Sequence, residues 1–232
     1  MTMAIYVIGD LHLSLGGNKP MDIFGEVWEN HTEKLILGFK DVCENDLTVL
    51  AGDISWGISL DEALPDFKFI DGLPGKKLII KGNHDYWWNT VKKIKQFFAV
   101  NHINTIDILH NNAFIHDGAA ICGTRGWFLE NCDGGQNLKV YNREVMRLKR
   151  SLDAAKSSGA DLIYCFLHYP PVYKGYECVE ITDMLSQYNV KACYFGHLHS
   201  KSHGLAVQGT YKSVEYRLVS ADYLGFKPLK VQ

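Results

Sequence analysis

Three apolar runs in the first third of the chain stop in the same way. Met3 to Gly9 ends at Gly9-Asp10, Leu47 to Ala51 at Gly52-Asp53, and Lys77 to Lys81 at Gly82-Asn83-His84-Asp85. Runs this short and this rich in β-branched residues read as buried strands. Between them, Trp28, Leu35, Ile36, Phe39, Val42 and Cys43 follow a helical period, which predicts an amphipathic helix over 27–44. Ser59-Leu60-Asp61-Glu62 matches a capping box and predicts a helix to about Asp71, which Pro65 bends or delays. A third helix is expected over 89–100. Strands alternating with helices imply an α/β fold, in which functional sites gather just past the carboxyl ends of the strands.

The pattern then changes. Ile106–His110, Ala113–Asp117 and Ala119–Gly123 are short strands separated by Asn111-Asn112 and Asp117-Gly118, which reads as a meander. A polar, glycine-rich loop is expected over 130–137. Val145, Leu148, Leu152 and Ala155 mark a helix from about Lys139 to Ser158, stopped at Gly159. Asp161–Leu167 and Lys191–Phe195 read as strands running into His168 and His197, and 205–218 as one or two antiparallel strands. No repeat, linker or low-complexity tract divides the chain, so one domain over 1–232 is expected.

A length of 232 residues suffices for a full core. The formal charge of −2 gives no sign of a nucleic-acid or anionic-membrane surface. No apolar run approaches the ~20 residues that span a bilayer. Met1-Thr2-Met3-Ala4 carries no basic leader pattern, so a cytoplasmic location is expected. The cysteines, Cys43, Cys122, Cys132, Cys165, Cys178 and Cys193, form no C-x-x-C pair. Three lie in strand-like runs, and all six read as reduced thiols.

The chemistry lies in five blocks: Asp10-Leu11-His12, Gly52-Asp53, Gly82-Asn83-His84-Asp85, His168-Tyr169-Pro170-Pro171 and Gly196-His197-Leu198-His199. Alone, Asp-x-His or Gly-Asp says little. Five such blocks, all at strand ends, supply carboxylates, imidazoles and an amide that only a shared cation would hold together. With no thiolate in the set, mixed imidazole and carboxylate suit Mn, Fe, Zn, Co or Ni alike; Mn²⁺ or Fe is favoured with Zn²⁺ close behind, and all-oxygen Mg²⁺ or Ca²⁺ sites fit less well.

The ordered set, from residue 10 to 199, resembles the calcineurin-like metallophosphoesterase superfamily. The resemblance implies a four-layer α/β/β/α sandwich with mixed sheets. It implies two divalent metal ions. Asp10, His12, Asp53 and His199 would hold the first, and Asp53, Asn83, His168 and His197 the second, with Asp53 bridging. His84 would be the catalytic histidine outside the metal shell. Asp85 would orient it, or cap the helix that follows, or both. The implied activity is hydrolysis of a small-molecule phosphodiester or phosphomonoester through in-line attack of a metal-bridging hydroxide. Two alternatives stand beside it: a metal-dependent nuclease, and a non-catalytic scaffold that kept the fold.

The chain departs from several branches of that superfamily. Gly52-Asp53-Ile54-Ser55-Trp56-Gly57 lacks the Asp-Arg-Gly of the protein phosphatases, and Asp85 stands where they carry Glu. His84 stands where lipid-A pyrophosphatases often carry Arg, and the chain is too short for the repair nucleases' capping domain. Trp56, Tyr86, Trp87 and Trp88 flank the blocks and read first as packing, second as a pocket rim. Arg125 reads equally as a phosphate grip or a surface ion pair. Tyr173, Lys174 and Tyr176 would form a wall, and His203 would support the site or lie on the surface. Lys139, Arg143, Arg147, Lys149 and Arg150 read as a solvated face, and His31, His102, His110 and His116 as exposed.

Overall fold

Alternation along the strands decides the layers. In β1 (Ile5–Ile8) the side chains of Ile5 and Val7 enter one core, and those of Tyr6 and Ile8 enter another. The computed structural model describes residues 3–17, 19–127 and 134–232. β1 lies parallel to β2 (Leu47–Leu50), which is followed in the sheet by β3 (Lys76–Ile79) and β4 (Ile106–Ile108), also parallel. A short strand β13 (Leu229–Lys230) closes the other edge antiparallel to β1.

A second sheet follows the order β11-β12-β10-β7-β6-β5, where β5 is Ala113–His116, β6 Ala119–Thr124, β7 Leu162–Leu167, β10 Ala192–Phe195, β11 Gly209–Tyr211 and β12 Val214–Leu218. Its inner members β6, β7, β10 and β12 are parallel, and β5 and β11 pair antiparallel at the edges. The sheets meet through Ile5, Val7, Val49 and Leu78 on one side and Ile121, Tyr164, Phe166 and Tyr194 on the other. Helices α1 (His31–Gly38), α2 (Leu64–Gly72) and α3 (Val91–Val100) cover the outer face of the first sheet through Leu35, Phe67, Ile70, Ile94 and Phe98. Helices α4 (Gly134–Ser157) and α5 (Val179–Gln187) cover the second through Leu148, Leu152, Ile181 and Leu185. The result is the α/β/β/α sandwich with mixed sheets that the resemblance implies.

Several expectations change. The helix over 27–44 is broken: Asn30 takes a left-handed conformation, α1 starts after it, and 3-10 turns flank it at Glu26–Trp28 and Phe39–Asp41. The helical phase therefore restarts, leaving Ile36 and Cys43 exposed while Trp28, Leu35, Phe39 and Val42 are buried. Half of the capping box forms: Glu62 N donates to Ser59 Oγ, but the Glu62 carboxylate accepts from Ile58 N rather than Ser59 N. It closes a turn rather than the helix, because Pro65 sits in the first turn of α2 and sets its start at Leu64. The expected meander is a crossing: β4 extends the first sheet, and the chain passes at Asn111-Asn112 into the β5–β6 hairpin of the second. Helix α4 begins at Gly134, so 134–137 of the expected loop are helical; 130–133, with Cys132, lie outside the described residues. The hairpin strands β8 (Val172–Tyr173) and β9 (Tyr176–Glu177) and strand β13 span two residues each, too short for a periodic signal; helix α5 buries Ile181, Thr182 and Leu185 on one face, a helical spacing that the sequence reading missed.

Among the described residues the five remaining cysteines are free, four of them buried and Cys43 exposed. No helix is long and apolar enough to cross a membrane.

Candidate metal centre

All five blocks fall just beyond strand ends, and those ends lie together. Asp10 and His12 follow β1, Asp53 follows β2, Asn83 follows β3, His168 follows β7, and His197 and His199 follow β10. Backbone bonds join the two sheets here: Gly9 N donates to Val219 O (2.7 Å) and Ala221 N to Gly9 O (2.9 Å). Four of the seven positions, Asp10, His12, Asp53 and His197, have φ between 47° and 72°. Left-handed backbone at non-glycine residues costs about 1–3 kcal/mol each and clusters at functional sites. Two glycines make the approach possible. A Cβ at Gly82 would overlap the Asp53 carboxylate and backbone nitrogen, and one at Gly196 would overlap the Asp10 carboxylate.

Two groups of donors converge. Asp10, His12 and His199 form one, and Asp10, Asp53 and His168 the other, each close enough to share one cation. His12 Nε2 lies 3.3 Å from His199 Nε2 and 3.8 Å from Asp53 Oδ2. His168 Nε2 lies 3.6 Å from Asp53 Oδ1 and 2.7 Å from Asn83 Oδ1, and His197 Nδ1 is 2.9 Å from the same amide oxygen. Asp10 also accepts the His197 backbone N–H at 3.0 Å, and Asp53 accepts that of His84 at 2.8 Å.

The hydrogen bonds behind these atoms show that the arrangement fits a cation. His168 Nδ1 is 3.1 Å from Ala51 O, so it donates there and turns the Nε2 lone pair toward Asn83 Oδ1. Two acceptors 2.7 Å apart need a positive charge or a proton between them. Burial works against the proton by holding His168 below its ordinary pKa. His199 Nδ1 likewise donates to Asp222 Oδ1 (3.0 Å), which leaves Nε2 facing His12. Burial pulls His199 down, yet Asp10 and then Asp222 lift it to about 10, so this position draws positive charge. Asp53 is pushed up to about 8, first by burial and then by the Asp10 charge. Asp10 stays well below the carboxylate range: burial raises it, but His199, His168 and His12 outweigh that. Two buried carboxylates this close, faced by imidazole lone pairs, suit a divalent ion.

His84 belongs to neither donor group. Its ring lies 4.4 Å from that of Trp56, with Nδ1 3.3 Å from Tyr86 Oη. Burial, then the neighbouring imidazoles and Lys19, lower it to about 4. Asp85 is corrected on both counts. Its carboxylate accepts from Ile54 N (2.8 Å), Gly82 N (2.7 Å), Ser55 N and Trp87 Nε1 rather than from His84, and the cap of α3 is Thr90. A fully buried carboxylate takes the fixed donors around it, and these staple the loops after β2 and β3 together. Burial and then Asp53 push it up to about 7.

The sequence reading missed Asp222. It follows β12 as the other blocks follow their strands, and that was the available signal. It accepts from His199 and from Ser200 N (3.0 Å), and His203 Nε2 lies 3.1 Å away, which gives His203 a supporting contact. Trp56 is more than packing, since it stacks on His12 at 5.0 Å and 22°. Trp87 is core. Arg125 faces buried Glu144 at 3.7 Å and Trp127 at 4.6 Å, a largely buried pairing rather than a surface one. Tyr173 and Tyr176 stack in the β8–β9 hairpin. Of the four histidines expected to be exposed, only His102 is; His31, His110 and His116 are half-buried.

Comparison with known proteins agrees with this geometry. The family model for calcineurin-like phosphoesterases matches residues 3–201. No curated protein matches significantly. Among solved structures, a protein of unknown function from Aquifex aeolicus aligns with TM-score 0.55 and 16% identity over 99% of this chain and 96% of its own. A phosphopantetheinyl hydrolase from Mycobacterium tuberculosis aligns with TM-score 0.55 and 12% identity over the same shares. At such identities the likeness is one of fold.

Proposed function

The chain belongs to the calcineurin-like phosphoesterase family, and from that premise we propose that it hydrolyses a small phosphate ester at a pair of divalent cations. Asp10, His12, Asp53 and His199 would hold one cation, and Asp53, Asn83, His168 and His197 the other. The observation that carries the reading is the inward convergence of the donor set: His168 Nε2 and Asn83 Oδ1, two acceptors 2.7 Å apart, beside the Asp10, His12 and His199 group. Mn²⁺ or Fe suits this mixed imidazole and carboxylate set, with Zn²⁺ next. Such a pair, when bound, lowers the pKa of a shared water and offsets charge on the phosphoryl oxygens.

The chain's own residues do the rest. Ala51 O and Asp222 fix which nitrogen His168 and His199 present. The backbone N–H groups of His84 and His197 hold the Asp53 and Asp10 carboxylates in place. His84 stands beside the donors with its ring steadied by Tyr86, where it can hydrogen-bond the leaving oxygen and stabilise it as the P–O bond breaks. The new P–O bond comes from water, and the products are an alcohol and the phosphate. No residue of the set acts as a covalent nucleophile.

The test is turnover of bis(p-nitrophenyl) phosphate by Mn²⁺-loaded protein, with Asp53→Ala and His84→Ala beside the parent. Activity abolished in both, with bound metal lost only in the first, is the expected result. Unchanged turnover in either variant would overturn the assignment.

A further inference from the structure

A cavity of about 380 Å³ opens against one side of the metal centre. Three imidazoles form its inner wall: His12, His84 and His199. The opposite wall is apolar, made by Met21, Phe24 and Trp28 from the segment between β1 and α1, with Trp56 from the loop after β2. That size lies at the lower end of ligand sites, which run from about 300 to 1,000 Å³.

The wall carries little that could satisfy a polar guest. The indole N–H of Trp56 is turned onto Met21 Sδ at 3.2 Å. Its ring stacks on His12, and the Lys19 ammonium sits over it, 2.9 Å from the centroid. Among the described residues, Ser200 is the one polar side chain in the lining besides the imidazoles. A sugar or nucleobase would bring more donors and acceptors than Ser200 and the three imidazoles can meet, which is costly where they are buried. A hydrocarbon or aryl group would gain by leaving water.

The position of His84 decides which part of the substrate enters. In the proposed reaction His84 stands next to the oxygen that leaves, and it forms part of the cavity wall. The group attached to that oxygen therefore extends into the cavity. We infer that this enzyme selects phosphate esters of an apolar alcohol or phenol, with Met21, Phe24, Trp28 and Trp56 as the residues that read the leaving group. This rests on the phosphoester reading of the metal centre. In the reaction, water's oxygen bonds to phosphorus, the bond from phosphorus to the ester oxygen breaks, and that oxygen takes a proton to leave as the apolar alcohol.

The test compares kcat/KM of the Mn²⁺-loaded full chain on methyl, butyl and hexyl esters of one phosphate, with the glycerol ester as polar control. Each buried methylene should raise kcat/KM about fourfold. Phe24 is half exposed, so Phe24→Ser should leave the fold intact and flatten that slope. A flat series, or a preference for the glycerol ester, overturns the inference while leaving the hydrolase reading standing. Turnover of none of the esters overturns the hydrolase reading instead. Quenching of tryptophan fluorescence by hexylphosphonate and methylphosphonate then decides the cavity separately: tighter binding of the hexyl compound supports it, and equal binding refutes it.

Discussion

The two sheets bring different chemistry to the place where they meet. The first contributes the charge: Asp10, Asp53 and Asp85 all lie on loops after its strands and are buried. The second contributes imidazoles, His168, His197 and His199, with a single carboxylate, Asp222, behind them. Neither edge would be stable as a dry surface on its own. Asp10 and Asp53 repel each other, and the imidazoles have no cation to face. Abutting the sheets turns two unfavourable edges into one site. The lesson concerns division of labour: the loops of one sheet bring the carboxylates that would hold a cation, and those of the other bring imidazoles whose outer hydrogen bonds set which nitrogen faces the site.

The largest expected effect breaks the charged half. Asp53→Ala should lose bound metal by elemental analysis and lower kcat by at least about 10³-fold. His84→Ala should cost about 10²–10⁴-fold in kcat with metal content unchanged. Equal metal loss in the two variants would remove the distinction between holding and reacting groups. Gly82→Ala should come next, because its Cβ must displace Asp53. Thermal unfolding should show a loss of about 1–3 kcal/mol, together with reduced metal content. On the neutral half, Asp222→Asn removes the carboxylate that orients His199 and should weaken metal affinity about 10–100-fold in a chelator competition.

The smallest effect concerns Asp66, a further buried carboxylate on the first sheet's side and no part of either donor group. It accepts from Leu15 N (2.7 Å) and Ser55 Oγ (2.5 Å), but burial outweighs both and raises its pKa. The folded state then holds more protons than the unfolded one between the ordinary carboxylate value and the raised value. Stability should fall as pH rises through that window. Asp66→Asn should flatten the slope, as read from urea midpoints measured between pH 4 and 7. An unchanged slope would assign it to another group.

How much was legible varied with the kind of signal. Asp10, Asp53 and Asn83 were readable because each directly follows an apolar run whose length and composition define a strand. Asp222 obeys the same rule but follows a strand of mixed pattern, where alternation with Glu215 and Arg217 masks the boundary. Asp85 was misjudged because adjacency to His84 in the chain suggested contact. After a sharp turn, consecutive side chains point apart, and its carboxylate found four donors elsewhere. Phe24 and Met21 carried no motif at all. Their role follows from a segment folded back over His12, and no local pattern encodes that.

The sequence alone determined the strand ends, the residue types placed on them and hence the class of chemistry, because hydrophobic periodicity and glycine placement are local properties. Only the tertiary structure decided which carboxylates face a cation and which staple a loop, which imidazole nitrogen points inward, and that an apolar cavity adjoins His84. Those outcomes depend on distances between segments far apart in the chain. Burial and hydrogen-bond geometry set such distances once the two sheets have packed, and no single segment contains them.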